Sequence, residues 1–253
     1  MVSYIDAIVF SLIQGLAEWL PISSSGHLAI FHNILGYQNL SYDVFLHFAS
    51  ILAVIILFRK DILKLLNLKY KENLKYIGYI LIAIIPAGII GVLFKDEIES
   101  FFSSLYFLGV FFIISGILIY STRFFKEKKE KLDLFDSIFI GIFQAIAIVP
   151  GISRSGATIS GGVYRGLKKE TAAKFSFLIA IPVILGASLM ELEGLILSKI
   201  NYGILTISFI LTFVISIVTI KILIRILNSD KFYLFGAYNF ILGIIVLIWS
   251  LVK

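Results

Sequence analysis

The stretch 150–158 reads Pro150-Gly-Ile-Ser-Arg-Ser-Gly-Ala-Thr158 and interrupts an otherwise apolar part of the chain. Proline ends a helix and glycine permits unusual backbone conformations, so we expect one helix to stop here and another to begin after the serines. A second stretch, 21–27, has the same plan and reads Pro21-Ile-Ser-Ser-Ser-Gly-His27. Each break separates two helices too short to cross a membrane, which predicts two re-entrant hairpins with pieces at about 4–19 and 25–35, and at about 134–148 and 154–166.

The two breaks belong to an internal repeat with an offset of 130 residues. The matching stretches are Asp6-Ala-Ile-Val-Phe-Ser-Leu-Ile-Gln14 with Asp136-Ser-Ile-Phe-Ile-Gly-Ile-Phe-Gln144, and Ser23-Ser-Ser-Gly26 with Ser153-Arg-Ser-Gly156. Self-similarity of this kind indicates a fold built from repeated units. We therefore predict one polytopic domain, 1–253, made of two halves, 1–130 and 131–253.

The composition is that of a membrane protein, because 59% of the residues are hydrophobic and only 15% are charged, against about 25% charged in soluble domains. Long apolar runs are spread over both halves and have the length that a hydrocarbon core requires. The predicted fold is all-α, with ten helices: four hairpin pieces and six full spans at about 43–59, 76–94, 104–122, 171–189, 203–225 and 232–251. The chain has no cysteine, which excludes disulfides and thiolate metal sites.

Three spans per half is an odd number, so the second half is expected to be inverted relative to the first. With the first hairpin outside, 17 of the 22 Lys and Arg residues fall on the inside, in segments 59–75, 123–133, 168–174 and 221–231. The positive-inside rule then predicts cytoplasmic basic loops and a site that opens to the outer side of the plasma membrane. The same distribution accounts for the net charge of +6 without a nucleic-acid partner.

The breaks are the predicted site, because inverted repeats built on broken helices bring the breaks together near the bilayer midplane. The N-terminus of a helix presents free N–H groups, and Gly26 and Gly156 permit close approach of the backbone. The two helix N-termini after the breaks therefore predict an anion site. Arg154 adds a fork-shaped cation suited to phosphate. A charge at membrane depth is expensive, which favours a functional role for both Arg154 and Glu18. Ser23 and Ser153 also suit a simple N-cap role.

Other polar residues near the breaks are less decisive. Gln14 lies on the same face as Glu18, but its repeat partner Gln144 favours an interhelical hydrogen bond for that pair. His27 follows the serine cluster and is predicted to lie near Glu18 and take part in proton transfer. His32 and His47 lack such neighbours and are interpreted as structural or interfacial residues.

At these residues the sequence resembles the undecaprenyl-pyrophosphate phosphatase family of the bacitracin-resistance type. That family carries the motifs (E/Q)-x-x-x-E, P-x-S-S-x-G-H and P-G-x-S-R-S-G-x-T, which are found here at 14–18, 21–27 and 150–158. The last motif is long and specific, and the likeness extends along nearly the whole chain.

The resemblance implies that the protein removes the terminal phosphate of a polyprenyl pyrophosphate and so recycles a lipid carrier for cell-wall glycans. It also implies a divalent metal ion such as Mg²⁺ or Ca²⁺, contact with membrane lipids and a homodimer. Gln14 stands where many members have glutamate, and an amide is a poorer metal ligand than a carboxylate. A metal site would therefore depend on Glu18 and on substrate phosphates.

The predicted catalytic residues are Glu18, Ser24, His27 and Arg154. Ser24 or His27 is the nucleophile, or Ser24 positions the attacking water; the sequence leaves these alternatives open. The predicted substrate-binding residues are Gln14, Ser23, Ser25, Gly26, Gly151, Ser153, Ser155, Gly156 and Thr158.

The alternative function is a lipid-phosphate flippase or secondary transporter, since inverted repeats with broken helices are also the architecture of transport. The difference between the two breaks favours the enzyme. The first break has an acid and a histidine that the second lacks, and an anion carrier has no need of such a pair. A purely structural role would not retain Arg154 and Glu18 at depth.

Overall fold

A computed structural model describes residues 2–36 and 39–252. Over these two stretches the chain is helical, and no strand is found in them. The helices are α1 (Tyr4–Ala17), α2 (Ser24–Leu35), α3 (Leu40–Leu57), α4 (Arg59–Leu65), α5 (Lys71–Leu93), α6 (Lys95–Phe102), α7 (Leu105–Ser121), α8 (Leu134–Ile146), α9 (Arg154–Tyr164), α10 (Lys169–Met190), α11 (Leu192–Leu197), α12 (Tyr202–Leu227) and α13 (Leu234–Val252).

Six helices are long and apolar enough to cross a membrane, namely α3, α5, α7 with its following turn, α10, α12 and α13. They confirm the six predicted spans. The four hairpin pieces are also present as α1, α2, α8 and α9. The predicted total of ten helices is too low, because α4, α6 and α11 add three short helices within the described residues. Helices of one or two turns show little periodicity and are stabilised by packing, so their sequences do not reveal them.

Each hairpin begins with the same capping device. Ser3 precedes α1, where its Oγ accepts the N–H of Asp6 at 3.1 Å and its own N–H is bonded by the Asp6 carboxylate at 2.8 Å. Asp133 and Asp136 form the equivalent capping box at the start of α8. Such a box satisfies two N–H groups that have no partner within the helix. The 130-residue offset is thus repeated in the local structure.

The two halves also exchange equivalent contacts, since α1 packs on α12 and α8 packs on α5. Glycine permits both approaches. A Cβ atom on Gly15 would lie 3.1 Å from the carbonyl oxygen of Thr212, and one on Gly141 would lie 2.8 Å from that of Ala83. Helices in lipid gain stability from such close backbone packing. The direction of each half in the bilayer stays a prediction.

The last spans of the two halves, α7 and α13, pack closely against each other. A Cβ on Gly116 of α7 would lie 2.8 Å from the carbonyl oxygen of Gly236 on α13, and one on Gly109 would lie 3.0 Å from that of Gly243. Small residues therefore bring α7 and α13 into backbone contact over about two turns. This pair supports the second break, since Ser115 of α7 accepts the N–H of Ser153 at 3.1 Å.

The four basic segments meet at one end of the helix bundle. Lys174 pairs with Asp61 at 2.5 Å, and Lys169 pairs with Glu127 at 2.6 Å and with Asp230 at 3.2 Å. Asp61 follows α3, Glu127 follows α7 and Asp230 follows α12, and all three pair with lysines in the first turns of α10. All four segments therefore lie on the same side of the protein.

Candidate functional site

The two breaks are in direct contact. The N–H of Gly151 donates to Ser23 Oγ at 3.2 Å, and Ser155 Oγ donates to the carbonyl oxygen of Leu20 at 3.3 Å. A Cβ on Gly26 would lie 2.9 Å from Gly151 Cα. The structure thus places the N-termini of α2 and α9 side by side, as the repeat predicts.

Both serines that precede these helices act as N-caps. Ser23 Oγ accepts the N–H of Gly26 at 3.3 Å, and Ser153 Oγ accepts that of Gly156 at 3.1 Å. Their backbones differ, because Ser23 has φ +66° while Ser153 has φ −69°. A non-glycine residue in the left-handed region costs about 1–3 kcal/mol and is kept only where its surroundings hold it. Ser23 is held by the N–H of Gly151 from the other break.

Glu18 is the centre of the polar network at this junction and is only 7% exposed. Its Oε1 accepts Arg154 Nη2 at 2.5 Å. Its Oε2 accepts Ser24 Oγ at 2.6 Å, Gln14 Nε2 at 3.2 Å and His47 Nε2 at 3.2 Å. A carboxylate offers about four acceptor positions. Three of the four donors meet Oε2 and one meets Oε1, so Oε1 keeps a second acceptor position.

Arg154 is the first residue of α9 and is held on three sides. Its Nη2 bonds Glu18, its Nη1 donates to the carbonyl oxygen of Ser176 at 3.3 Å, and its guanidinium lies 5.4 Å from the Trp19 ring centroid. A cation over an indole face is favourable, more so away from water. A guanidinium has five N–H groups, so donors remain for an anion in the cavity.

His27 faces away from this network. Its Nδ1 lies 2.7 Å from the carbonyl oxygen of Ser23, and its Nε2 lies 2.8 Å from the hydroxyl of Tyr238 on α13. Since the carbonyl only accepts, Nδ1 carries a hydrogen, and Nε2 is free to accept from Tyr238. The predicted closeness of His27 to Glu18 is not found among the described contacts.

His47, which was interpreted from the sequence as a structural or interfacial residue without such neighbours, contacts Glu18 instead. Its Nδ1 lies 2.8 Å from the carbonyl oxygen of Asp43, and its Nε2 lies 3.2 Å from Glu18 Oε2. Both partners are acceptors, so both ring nitrogens donate and the ring is positively charged in this arrangement. A usable signal was present, because Asp43 and His47 are two polar residues four apart on one face of a membrane span.

Asp43 offers the free carboxylate oxygen of the site. Its Oδ2 bonds His32 Nε2 at 2.8 Å, while its buried Oδ1 has no partner among the described residues. The same holds for Gln14 Oε1. Unsatisfied buried oxygens call for water or an ion, and hard divalent cations prefer oxygen ligands. In the described stretches no group of three His, Cys, Asp or Glu residues could hold a metal ion, so substrate oxygens would have to complete such a site.

A cavity of about 290 Å³ lies at the junction. Its polar lining consists of Glu18, Ser23, Ser24, Ser25, Asp43, His47, Ser153 and Arg154. The remaining lining is apolar and comes from several helices, with Leu28 of α2, Val44 of α3 and Val183 and Ile184 of α10 among them. The cavity therefore combines a charged, hydroxyl-rich end with hydrocarbon walls, which is the lining expected for an amphiphile with an anionic head.

The structure separates the predicted site residues into two groups. Six of them line the cavity: Glu18, Ser23, Ser24, Ser25, Ser153 and Arg154. The other seven are not among the lining residues: Gln14, Gly26, His27, Gly151, Ser155, Gly156 and Thr158. Thr158 illustrates their role, because its hydroxyl bonds the carbonyl oxygen of Arg154 at 2.8 Å and Ser176 Oγ at 2.6 Å. Such residues support the lining.

Comparison with known proteins gives a family. A family model described as "Bacitracin resistance protein BacA" matches residues 7–245. A protein from Methanococcus vannielii named undecaprenyl-diphosphatase is 39% identical over 252 residues, covering 96% of this chain and 99% of its own. Proteins of the same name from Methanobrevibacter smithii and Christiangramia forsetii are 36% and 37% identical, and each alignment covers at least 97% of both chains.

Proposed function

This chain belongs to the BacA family of bacitracin resistance proteins, and on that premise we propose that it hydrolyses undecaprenyl pyrophosphate to the monophosphate and inorganic phosphate. It is a multi-pass membrane protein. The observation that carries the proposal is the lining of the cavity, which places Arg154, Glu18 and Ser24 at one end and apolar side chains elsewhere. The polar region would take the pyrophosphate head, and the apolar lining would contact the part of the polyprenyl chain next to it. The product would be the lipid carrier that cell-wall glycan synthesis uses again.

Binding of the head would use positive charge and N–H donors. Arg154 has donors beyond those used by Glu18 and Ser176, and its fork geometry suits phosphate oxygens. The adjoining N-termini of α2 and α9 add the positive ends of two helix dipoles. The same groups would stabilise the charge of the transferring phosphoryl group.

Ser24 is the proposed nucleophile, because its hydroxyl already donates to Glu18 Oε2 at 2.6 Å. As the Ser24 Oγ–P bond forms and the P–O bond to the bridging oxygen breaks, the hydroxyl proton passes to Glu18 and the lipid monophosphate leaves. Water then attacks the phosphoserine and loses a proton to solvent. As the Oγ–P bond breaks, inorganic phosphate leaves and Glu18 returns its proton to Ser24 Oγ. A serine and a base within hydrogen-bond reach are the usual parts of such a step.

A divalent cation such as Mg²⁺ or Ca²⁺ is part of the proposal. The unpartnered Asp43 Oδ1 supports it, because this oxygen belongs to a residue that lines the same cavity as Glu18 and Arg154. Asp43 would hold the ion together with phosphate oxygens of the substrate, and the ion would neutralise charge on the pyrophosphate.

The arrangement in the membrane is also proposed here. The common end of the four basic segments would face the cytoplasm under the positive-inside rule, and the cavity would open towards the outer side. The reciprocal contacts of α1 with α12 and of α8 with α5 support two inverted halves. A homodimer remains an expectation of the family resemblance.

The test is phosphate release from undecaprenyl pyrophosphate by detergent-purified protein, with and without EDTA. We expect metal-dependent release by the wild type and its loss in Glu18→Gln, which keeps the shape of the side chain but cannot accept the Ser24 proton. Binding of the lipid by well-folded wild type without any release would refute hydrolysis and favour transport of the lipid phosphate.

A further inference from the structure

We infer that His47 is a positioning residue of this site, which fixes the Glu18 carboxylate so that Ser24 and Arg154 meet it in defined places. The inference rests on the proposed function, because it assigns a role to His47 within that reaction. His47 lines the cavity beside Glu18, and the sequence motifs at the two breaks do not include it.

The four donors to Glu18 come from four different helices. Gln14 lies on α1, Ser24 on α2, His47 on α3 and Arg154 on α9. Gln14 is one turn from Glu18 on the same piece of chain and cannot fix it relative to other helices. Ser24 and Arg154 take part in the proposed reaction, and both groups would interact with the substrate. Among these donors, His47 alone ties Glu18 to a full membrane span without a proposed role in bond making.

His47 is itself well supported. Its Nδ1–H donates to the carbonyl oxygen of Asp43 one turn earlier at 2.8 Å. Its helix, α3, packs against both α10 and α12. A side chain whose second nitrogen is anchored on a packed helix holds its orientation, which is what precise placement of a reactive group requires.

The geometry indicates positioning rather than proton transfer. The Ser24 hydroxyl points at Glu18 Oε2 at 2.6 Å, so the proton of the nucleophile has a direct acceptor. His47 reaches the same oxygen at 3.2 Å, through an N–H that donates. The positioning role of His47 therefore requires an N–H group that faces Glu18 Oε2. It does not require His47 to gain or lose a proton during the reaction. A glutamine side chain supplies such a group, which gives the inference a conservative variant.

The experiment measures kcat and KM for undecaprenyl pyrophosphate in wild type, His47→Ala and His47→Gln. We expect His47→Ala to lower kcat by about 10- to 100-fold, as is usual when a residue that orients a reactive group is removed, with KM changed by less than about 3-fold. His47→Gln should restore kcat to within about 3-fold of wild type, since a neutral N–H donor keeps the bond at reduced strength.

Two kinetic outcomes would overturn the inference. Wild-type kcat in His47→Ala would show that Glu18 does not need this contact. Equal loss in His47→Gln and His47→Ala would show that the ring must exchange a proton. A wild type that releases no phosphate would instead refute the proposed function.

If the wild type releases no phosphate, thermal unfolding still tests the contact between His47 and Glu18. The inference expects the destabilisation of Glu18→Gln and His47→Ala to be non-additive in the double variant, because the two side chains interact. Additive effects would overturn it whatever the activity. Monodisperse elution of each variant in detergent is the control for folding.

Discussion

The two breaks have the same backbone plan but contribute different chemistry. In each, a serine caps a helix whose third residue is a glycine, and the two helices begin side by side. The first residue of the helix is Ser24 in one half and Arg154 in the other, which are equivalent positions of the repeat. The proposed nucleophile and the proposed phosphate-binding cation thus occupy equivalent positions of the repeat. Neither half has both, so the site exists only where the halves meet.

The flanking positions differ in the same way. Glu18 has Ile148 as its equivalent in the second half, and Ile148 lies in the apolar part of the cavity lining. The two equivalent glutamines also differ in their hydrogen bonds. Gln144 Nε2 donates across the helix interface to the carbonyl oxygen of Ala83, whereas Gln14 Nε2 donates to Glu18. The interhelical role predicted for both glutamines thus holds for Gln144 only. At these positions the first half carries groups that we propose for the reaction, and the second half makes packing contacts.

The largest expected effect is that of the cation in the second break. Arg154→Ala should lower kcat by about 10²- to 10³-fold, because a fixed charge that stabilises the transition state is removed. Arg154→Lys should recover only part of this, since an ammonium cannot make the paired, planar contacts of a guanidinium. Phosphate release under saturating lipid measures kcat of both variants. Full activity in Arg154→Ala would contradict the proposal that the second break supplies the phosphate-binding cation.

The equivalent position in the first break gives the next effect. Ser24→Ala should lower kcat by about 10²-fold if Ser24 carries the phosphoryl group, and it should abolish trapping of a phosphoserine in rapidly quenched reactions. Ser160→Ala is the matched control, because that buried serine of α9 has no hydrogen-bond partner among the described residues and lies outside the cavity lining. A phosphoserine that persists in Ser24→Ala would contradict the assignment.

A smaller effect is expected where the two breaks touch. Gly26→Ala would bring a Cβ to 2.9 Å from Gly151 Cα, which is backbone, and to 2.5 Å from the Phe112 ring. Gly156→Ala meets the end of the Ile119 side chain, which can move. Overpacking of this kind costs about 1–3 kcal/mol, and we expect Gly26→Ala to be the worse of the two in thermal unfolding and in activity.

The control for that pair is Gly88→Ala on α5, where a Cβ meets nothing within 4 Å and the stability should be unchanged or slightly raised. Equal melting temperatures for Gly26→Ala and Gly156→Ala would show that the junction of the breaks adapts more readily than its backbone contact indicates.

The smallest effect concerns the far ends of the hairpins, which differ in the capping residue. Asp133→Ala should destabilise α8 by about 1 kcal/mol, and Asp133→Ser, which copies Ser3 of α1, should lose less. The hydrogen bond from Lys129 lowers the pKa of Asp133 below its ordinary value of 3.8. Its contribution to stability is therefore complete above that pH and is lost as the pH falls through the lowered pKa.

Thermal unfolding at about pH 5 and about pH 3 tests this difference. The wild type should lose more stability on acidification than Asp133→Ser, because serine does not titrate. An equal loss in both proteins would assign the acid sensitivity to other carboxylates.

Much of the fold follows from local sequence. An apolar run of about 20 residues crosses the membrane wherever it occurs, and proline with glycine ends a helix regardless of what packs around it, so the six spans and both breaks were predictable from residues adjacent in the chain. Arg154 and Glu18 were also recognisable as candidate site residues, because a charged side chain inside an apolar segment is costly and is usually kept for function. The short helices α4, α6 and α11 were not, since packing rather than sequence pattern holds them.

Which partners the two histidines contact was decided by the tertiary structure. His27 and His47 are both histidines on membrane helices, and nothing local tells that the first turns to Tyr238 and the second to Glu18. That choice depends on how α3 and α13 pack against the breaks, with partners 29 and 211 residues away along the chain. The sequence by itself determined where the chain crosses, breaks and carries charge, because those properties are local. The tertiary structure determined which polar groups meet, because hydrogen bonds form between neighbours in space.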